Sequence, residues 1–294
     1  MYRTLLVLLL LLHLFADFYM QTEKLAEKKK EYWGSLLLHC LFYFIVVAIG
    51  TVAFYGTKSA FWLALAVSVF HLAIDTGKFC YQNYHKRRSP QKEKQLLAFV
   101  YSIDQCLHFL TILLVALITK KGNMPFPIAP YILHYTNMIS VDILSLLKWF
   151  FLALFIWQPA NITIYKLLSQ YKAEKVTAPA KDAEITDFTG NANTISITVQ
   201  LSESSPVKAA EATLEANAGK LIGTLERAII ALLLLVNQYA AIGLVLTAKS
   251  VARYEKLKEK NFAEYYLLGT LLSTLLVIAA YLFLFIILKV PEPK

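Results

Sequence analysis

The alternation of apolar runs and short polar segments along the chain predicts an all-α, polytopic membrane protein. Four apolar runs occupy residues 5–20, 36–54, 61–80 and 96–118. A helix of about 20 apolar residues rises about 1.5 Å per residue, so it spans the roughly 30 Å of hydrocarbon in a bilayer. Residues 1–118 are therefore predicted to form a membrane domain of four helices.

The next parts of the chain are less regular. Residues 119–171 begin with a proline-rich loop and continue with an apolar stretch, 141–157. Pro159 predicts a kink or a helix end there, because proline removes a backbone donor and clashes with the preceding turn; an amphipathic tail, 162–171, follows. Residues 172–217 are polar and predict a partly disordered excursion, with one short strand where apolar and polar residues alternate at 195–201.

Residues 218–294 add two apolar helices, 221–246 and 262–288, joined by the basic segment 249–260. Counting every apolar stretch as a span gives seven, which places this basic segment outside, against the positive-inside rule. Either the stretch 141–157 does not cross the membrane, or one C-terminal helix is re-entrant. The sequence therefore predicts six to seven spans.

Composition and charge agree with a membrane protein. The chain is 57% hydrophobic, against roughly 45–50% in soluble domains. Its net charge of +9 comes from basic residues in short loops beside apolar runs, a pattern of topology signals and lipid contact and not of nucleic-acid binding. These loops predict that 22–34 and 81–95 are cytoplasmic and that the N-terminus and Lys58 are outside. The three cysteines lack CxxC spacing, so they predict neither a disulfide framework nor a zinc knuckle.

Ionisable residues within the apolar helices are the main functional signal, because charged side chains are rare in a bilayer and usually serve a function. Three pairs of histidine and aspartate have the i, i+4 spacing that puts both side chains on one helix face: His13 with Asp17, His71 with Asp75, and Asp104 with His108. With six His in the chain and as many Asp, chance predicts about a quarter of one such pair. His39 adds an imidazole from the second helix. These residues lie in a common layer in the predicted cytoplasmic half of the membrane, except His108, which is predicted to lie deeper, about 18 Å from the cytoplasmic end of its helix, above the cluster.

Imidazoles and carboxylates on paired helices are how helical bundles hold divalent metals. The predicted ligands of such an ion, Zn or Mn/Fe, are His13, Asp17, His71, Asp75 and Asp104. His39 and His108 are predicted to act as further ligands or as the general base. Four other polar residues are noted for their place in or beside the apolar helices: Gln21, Gln105, Glu226 and Arg227.

A structural interpretation of the same residues stays open. Each His/Asp pair can be an internal hydrogen bond that neutralises both groups and fixes helix packing. The similar sequences HLFAD and HLAID can also reflect duplication of a helical hairpin without any chemistry. Under this interpretation each pair faces a different neighbour, and the rings of His13 and His71 lie more than about 10 Å apart, beyond any shared metal.

The motifs HLFADFYMQ, LLLH, HLAID and DQCLH resemble an uncharacterised bacterial and phage family of polytopic membrane proteins, known as a domain of unknown function. The stretch from GKLIGTLERAII to FAEYYLLGTLLS is similar to the C-terminal half of longer members. The resemblance implies residence in the bacterial inner membrane and no established activity. It leaves out the proline-rich loop and residues 172–217.

The leading functional hypothesis is a metal-dependent hydrolase of a lipid or lipid-linked substrate, with membrane lipids as its surroundings and no nucleic-acid partner. No HExxH motif or desaturase-like histidine box occurs, so those enzyme classes are excluded. Two alternatives remain: a proton or metal-ion transporter or channel component, and a structural membrane protein whose polar cluster only fixes helix packing.

Overall fold

The computed structural model describes residues 2–88, 93–122, 124, 126–169 and 206–289. Every regular element in these ranges is a helix, which confirms the predicted all-α class. The strand predicted at 195–201 lies outside the described residues. The described helices are α1 (Tyr2–Leu14) with a π-helical turn (Phe15–Tyr19), α2 (Glu23–Lys28), α3 (Trp33–Tyr55), α4 (Lys58–Arg88), α5 (Glu93–Lys121), α6 (Pro130–Met138), α7 (Ile143–Leu168), α8 (Pro206–Leu235), α9 (Tyr239–Ala252), α10 (Tyr254–Leu257) and α11 (Lys260–Tyr281) with a second π-helical turn (Leu282–Ile287).

Among the described residues, six helices are long and apolar enough to cross a membrane. The protein is thus a multi-pass membrane protein, with six of the predicted six to seven spans. The spans are Tyr2–Tyr19, Trp33–Tyr55, Lys58–His85, Ala98–Lys121, Ile143–Leu168 and Phe262–Ile287.

Helix α1 lies at the centre of the bundle. The consecutive residues from Leu5 to Leu10 are all buried, so every face of this part of the helix is covered by protein. Helices α3, α5 and α7 pack around it, and α4 packs against α3 and α5. The polar residues at the end of α1 therefore point into protein and not into lipid.

Of the two outcomes predicted at Pro159, a kink or a helix end, helix α7 shows that the helix end is wrong. The helix neither ends there nor leaves a separate tail, because it continues to Leu168 with Pro159 inside it. Tyr19 stabilises the part of α7 that precedes Pro159. Its hydroxyl donates to the carbonyl oxygen of Leu154 at 2.6 Å and accepts from the Gln158 N–H at 3.4 Å. A side chain from α1 thus takes part in the backbone hydrogen bonding beside the proline.

The predicted span 221–246 is wrong, because two helices with a break occupy this part of the chain. Helix α8 ends at Leu235, and α9 starts at Tyr239. Asn237 lies between them at φ 56°, a left-handed conformation that asparagine tolerates better than most residues. Lys249 on α9 reaches back to Glu226 on α8 at 2.5 Å, so the two helices form a hairpin. Helix α8 also begins at Pro206, within the segment predicted to be a polar excursion.

Hydrogen bonds at one end of the bundle show how α11 runs. Arg3, at the start of α1, donates to the carbonyl oxygen of Lys289 at 2.7 Å, and Lys148, near the start of α7, donates to that of Leu288 at 2.8 Å. The end of the last span therefore lies beside the start of α1, and Lys260 lies at the opposite end of the bundle. The hairpin thus returns the basic segment 249–260 to the side of the lysine-rich segment after α1, as the positive-inside rule requires.

Candidate metal centre

The candidate centre lies where α1, α3, α4 and α5 meet. Each of the four helices contributes a buried histidine, and α4 and α5 each contribute a buried aspartate. Asp17 lies in the π-helical turn that ends α1. Such turns interrupt α-helices frequently at functional sites, where they redirect side chains.

The histidine rings converge around His71. Their centroids lie 5.9 Å from it for His13, 5.5 Å for His39 and 4.4 Å for His108. Tyr43 stacks on the same ring at 3.6 Å and 6°, and its hydroxyl lies 3.3 Å from Nδ1 of His13. The predicted convergence is therefore observed, and the arrangement in which each pair faces a different neighbour is not.

The shortest contacts among the histidine and aspartate ligand atoms cross between helices and centre on His39. Its Nε2 atom lies 3.3 Å from Nε2 of His71, 3.2 Å from Oδ1 of Asp17 and 3.5 Å from Oδ2 of Asp75. The Asp75 oxygen also lies 3.8 Å from the His71 nitrogen. Two ligand atoms about 2.0–2.1 Å from a tetrahedral ion lie about 3.3–3.4 Å apart, so the three contacts of the His39 nitrogen have about the spacing expected between ligands of one ion.

A second group of ligand atoms adjoins the first through Asp75. Its other oxygen, Oδ1, lies 3.6 Å from Nε2 of His108, and that nitrogen lies 3.6 Å from Oδ1 of Asp104. Asp75 thus faces the His39 group with one oxygen and the His108 group with the other. A carboxylate so placed can bridge two metal positions.

The donor set fits a divalent metal. Four groups of three residues have ligand atoms within 4.8 Å of one another: His13, His71 and His108; Asp17, His39 and His71; Cys40, His71 and Asp75; and Asp75, Asp104 and His108. Among the described residues, Oδ1 of Asp104 and Nε2 of His108 are buried without a hydrogen-bond partner within 3.5 Å. Buried polar atoms normally have partners, so these two atoms fit the coordination of a further group.

The sequence interpretation missed two lysines in the centre. Lys29 has its ammonium 3.4 Å from Oδ2 of Asp75 and 3.8 Å from Oδ1 of Asp17, and Lys78 lies 2.6 Å from Oδ2 of Asp104. Lys78 could have been found, because it follows Asp75 by three residues on the same helix face. Lys29 belongs to a run of lysines that indicates topology, and only the tertiary fold brings it to the carboxylates.

Tyr43 and Cys40 were also missed. Tyr43 follows His39 by four residues and shares its face of α3, so helical spacing could have found it. Cys40 is buried and has its sulfur within reach of the His71 and Asp75 ligand atoms.

The two glutamines predicted as other polar residues hold charged groups of the centre. Gln21 accepts from Lys29 at 3.2 Å, and Gln105 donates to Oδ2 of Asp17 at 3.4 Å and to Oδ2 of Asp104 at 3.2 Å. They thus help to orient the carboxylates and the Lys29 ammonium.

Glu226 and Arg227 lie elsewhere, in the C-terminal helices. Glu226 pairs with Lys249. Arg227 is buried and donates to the Ile156 carbonyl oxygen at 2.8 Å, to Oδ1 of Asn161 at 2.6 Å and to Oγ of Ser273 at 3.2 Å. The two residues connect α7, α8, α9 and α11 and do not contribute to the metal centre.

Comparison with known proteins gives a family without an assigned activity. Residues 5–134 match a protein family described as "Protein of unknown function (DUF3307)". The match includes every histidine and aspartate of the centre, and it confirms the expected resemblance to an uncharacterised family. It also includes the proline-rich loop, which the resemblance was expected to leave out. No curated protein sequence and no solved structure matches the chain.

Proposed function

We propose that this cluster binds a divalent metal ion, Zn or Mn/Fe, and that the protein is a membrane-embedded hydrolase of a lipid or lipid-linked substrate at the cytoplasmic leaflet of a bacterial inner membrane. One observation carries the proposal. The ligand atoms of His39, His71, Asp17 and Asp75 come from three separate elements, α3, α4 and the π-helical turn after α1, and lie 3.2–3.8 Å apart where their contacts are measured. His/Asp pairs that only neutralised each other would be satisfied within one helix and would not need to converge with the pairs of other helices.

The residues divide into two roles. His39, His71, Asp17 and Asp75 hold the ion, which when bound supplies Lewis acidity and lowers the pKa of a water ligand. His108 lies next to this group, on the far side of Asp75, and is oriented by Asp104. It is placed to take a proton from the attacking water and to return it to the leaving oxygen as the ester bond breaks.

Metal analysis tests the first half of the proposal. Protein purified in detergent is stripped with a chelator, incubated with Zn or Mn and freed of unbound ion. We expect about one equivalent or more to remain, and substantially less in His39→Ala and His71→Ala. His134→Ala is the matched control, because His134 is exposed and lies outside the centre. Retention below about 0.2 equivalents in the wild type would end the proposal.

The second half of the proposal, that the protein is a hydrolase, requires turnover of a lipid substrate in detergent micelles without any ion gradient. Chelation is expected to abolish this turnover, and addition of the metal is expected to restore it. Lipid products that form at the same rate after chelation would contradict a metal-dependent reaction.

A second candidate function is suggested by the lysines. The ammonium of Lys29 contacts the Asp17 and Asp75 carboxylates that a metal would use, and that of Lys78 contacts the neighbouring Asp104. A tethered cation that exchanges with an entering ion suits a proton or metal-ion transporter. Such a transporter is expected to produce ion flux across proteoliposomes without turnover of lipid, whereas the hydrolase is expected to do the reverse.

A further inference from the structure

A third lysine lies at the edge of the metal centre. The ammonium of Lys166, near the end of α7, lies over the ring of Tyr101, 4.1 Å from its centroid. The Tyr101 ring is buried, and its hydroxyl lies 2.7 Å from Oγ1 of Thr163, so its position is fixed between α5 and α7. Tyr101 precedes Asp104 by one helical turn. Lys166 is therefore held on the α5 face that carries the centre.

The charges that act on Lys166 belong to the centre. They are Lys78, Asp17, Asp104 and Lys29. Among the described residues, no carboxylate pairs with Lys166, and its contact is the face of an aromatic ring. This half-buried ammonium lies beside the centre with capacity to donate to another group.

A bound metal ion would give the centre an unbalanced positive charge. The carboxylates of Asp17, Asp75 and Asp104 carry three negative charges, and Lys29, Lys78 and Lys166 carry three positive ones. With neutral histidines the site has no net charge. A divalent ion raises the charge to +2 and takes the Asp17 and Asp75 oxygens that Lys29 now contacts. Lys29 is then a partly buried ammonium without a carboxylate partner, as Lys166 is, so the metal-loaded site favours an anionic ligand.

We infer that the substrate is a phosphate ester of a lipid, with its phosphate oxygens bound by Lys29, Lys78 and Lys166. The inference rests on the proposed function, since it concerns the metal-loaded site. A phosphomonoester carries about −1.5 to −2 charges near neutral pH, so it balances the +2 charge of the metal-loaded site. A carboxylate carries one negative charge and would balance only half of the site's charge. Ammonium groups are common phosphate ligands, and the three lysines come from separate elements, so they can surround one headgroup.

Binding measurements on the metal-loaded protein in detergent test this inference. Dihexanoyl phosphatidate is compared by calorimetry with dihexanoylglycerol, which has the same chains and no phosphate, and with inorganic phosphate. We expect phosphatidate to bind at least about tenfold more tightly than either compound, because it alone offers both the charge and the chains.

Variants of Lys166 make the test specific. Lys166→Gln is expected to weaken phosphatidate binding about tenfold, with metal content and dihexanoylglycerol binding unchanged, and Lys166→Arg is expected to restore most of the affinity. Lys258→Gln is the matched control, since Lys258 is exposed and pairs with Glu255.

Equal affinity for phosphatidate and dihexanoylglycerol would overturn the inference, as would unchanged binding in Lys166→Gln. Inorganic phosphate that binds as tightly as phosphatidate would overturn the assignment to a lipid. None of these results alters the metal content, so failure of this inference is distinguishable from failure of the metal site.

Discussion

Replacement of Asp75 by asparagine is the most informative single change. The side chain keeps its shape and loses its charge. Asp75 takes part in two of the four possible ligand groups, and its oxygens lie 3.4–3.8 Å from Lys29, His39, His71 and His108. The effect of Asp75→Asn therefore measures how much the centre depends on this carboxylate.

The size of the effect follows from electrostatics. Two unit charges about 4 Å apart attract by about 4 kcal/mol at an effective dielectric constant near 20, and a divalent ion doubles this to about 8 kcal/mol. Release of the carboxylate from its desolvation penalty offsets roughly half. The net loss is about 4 kcal/mol, so the dissociation constant for the metal is expected to rise about a thousandfold.

Titration of the stripped protein with Zn against a competing indicator dye measures this constant. Asp142→Asn is the matched control, because Asp142 caps α7 from an exposed position and asparagine caps helices equally well. A dissociation constant for Asp75→Asn within about threefold of the wild type, in protein that unfolds at the same temperature, would refute the reasoning.

Three further predictions concern the surroundings of the centre. Arg227→Met is expected to lower the free energy of unfolding by about 3–5 kcal/mol without changing metal content, because it leaves Asn161 and a buried carbonyl without their donor; thermal unfolding in detergent and metal analysis measure the two effects. Tyr43→Phe keeps the ring stacked on His71 and removes the hydroxyl beside His13, so we expect metal affinity to fall about tenfold with little loss of stability; unchanged affinity would remove Tyr43 from the site. A single cysteine at position 88 is expected to be labelled only from the cytoplasm, and labelling from outside intact cells would overturn the topology.

The sequence alone determined the fold class and the histidines and aspartates of the candidate centre. Apolar runs of bilayer length permit only helices in single-chain membrane domains of this composition, because the backbone must satisfy its own hydrogen bonds in lipid. Within such helices a charged residue stands out against its neighbours. His13, Asp17, His71, Asp75 and Asp104 could therefore be singled out without coordinates, and regular helix rise predicted their common depth.

The C-terminal half shows where local pattern is insufficient. An apolar stretch can be one long helix or a hairpin. The turn at Asn237 interrupts the apolar sequence too briefly for the hydrophobic pattern to reveal it. Similarly, Pro159 predicts a kink or a helix end, but hydrogen bonds with Tyr19 support the continuous helix. At Pro159 the supporting contacts come from a residue far away in sequence.

Only the tertiary structure decided which residues face one another. Helical periodicity puts His13 with Asp17 and His71 with Asp75, yet Asp17 and Asp75 both contact His39 of another helix. The tertiary structure also brought Lys29 into the centre. Periodicity describes one helix face, whereas the partner of that face depends on how the helices pack and rotate, and that is determined by contacts along their whole length.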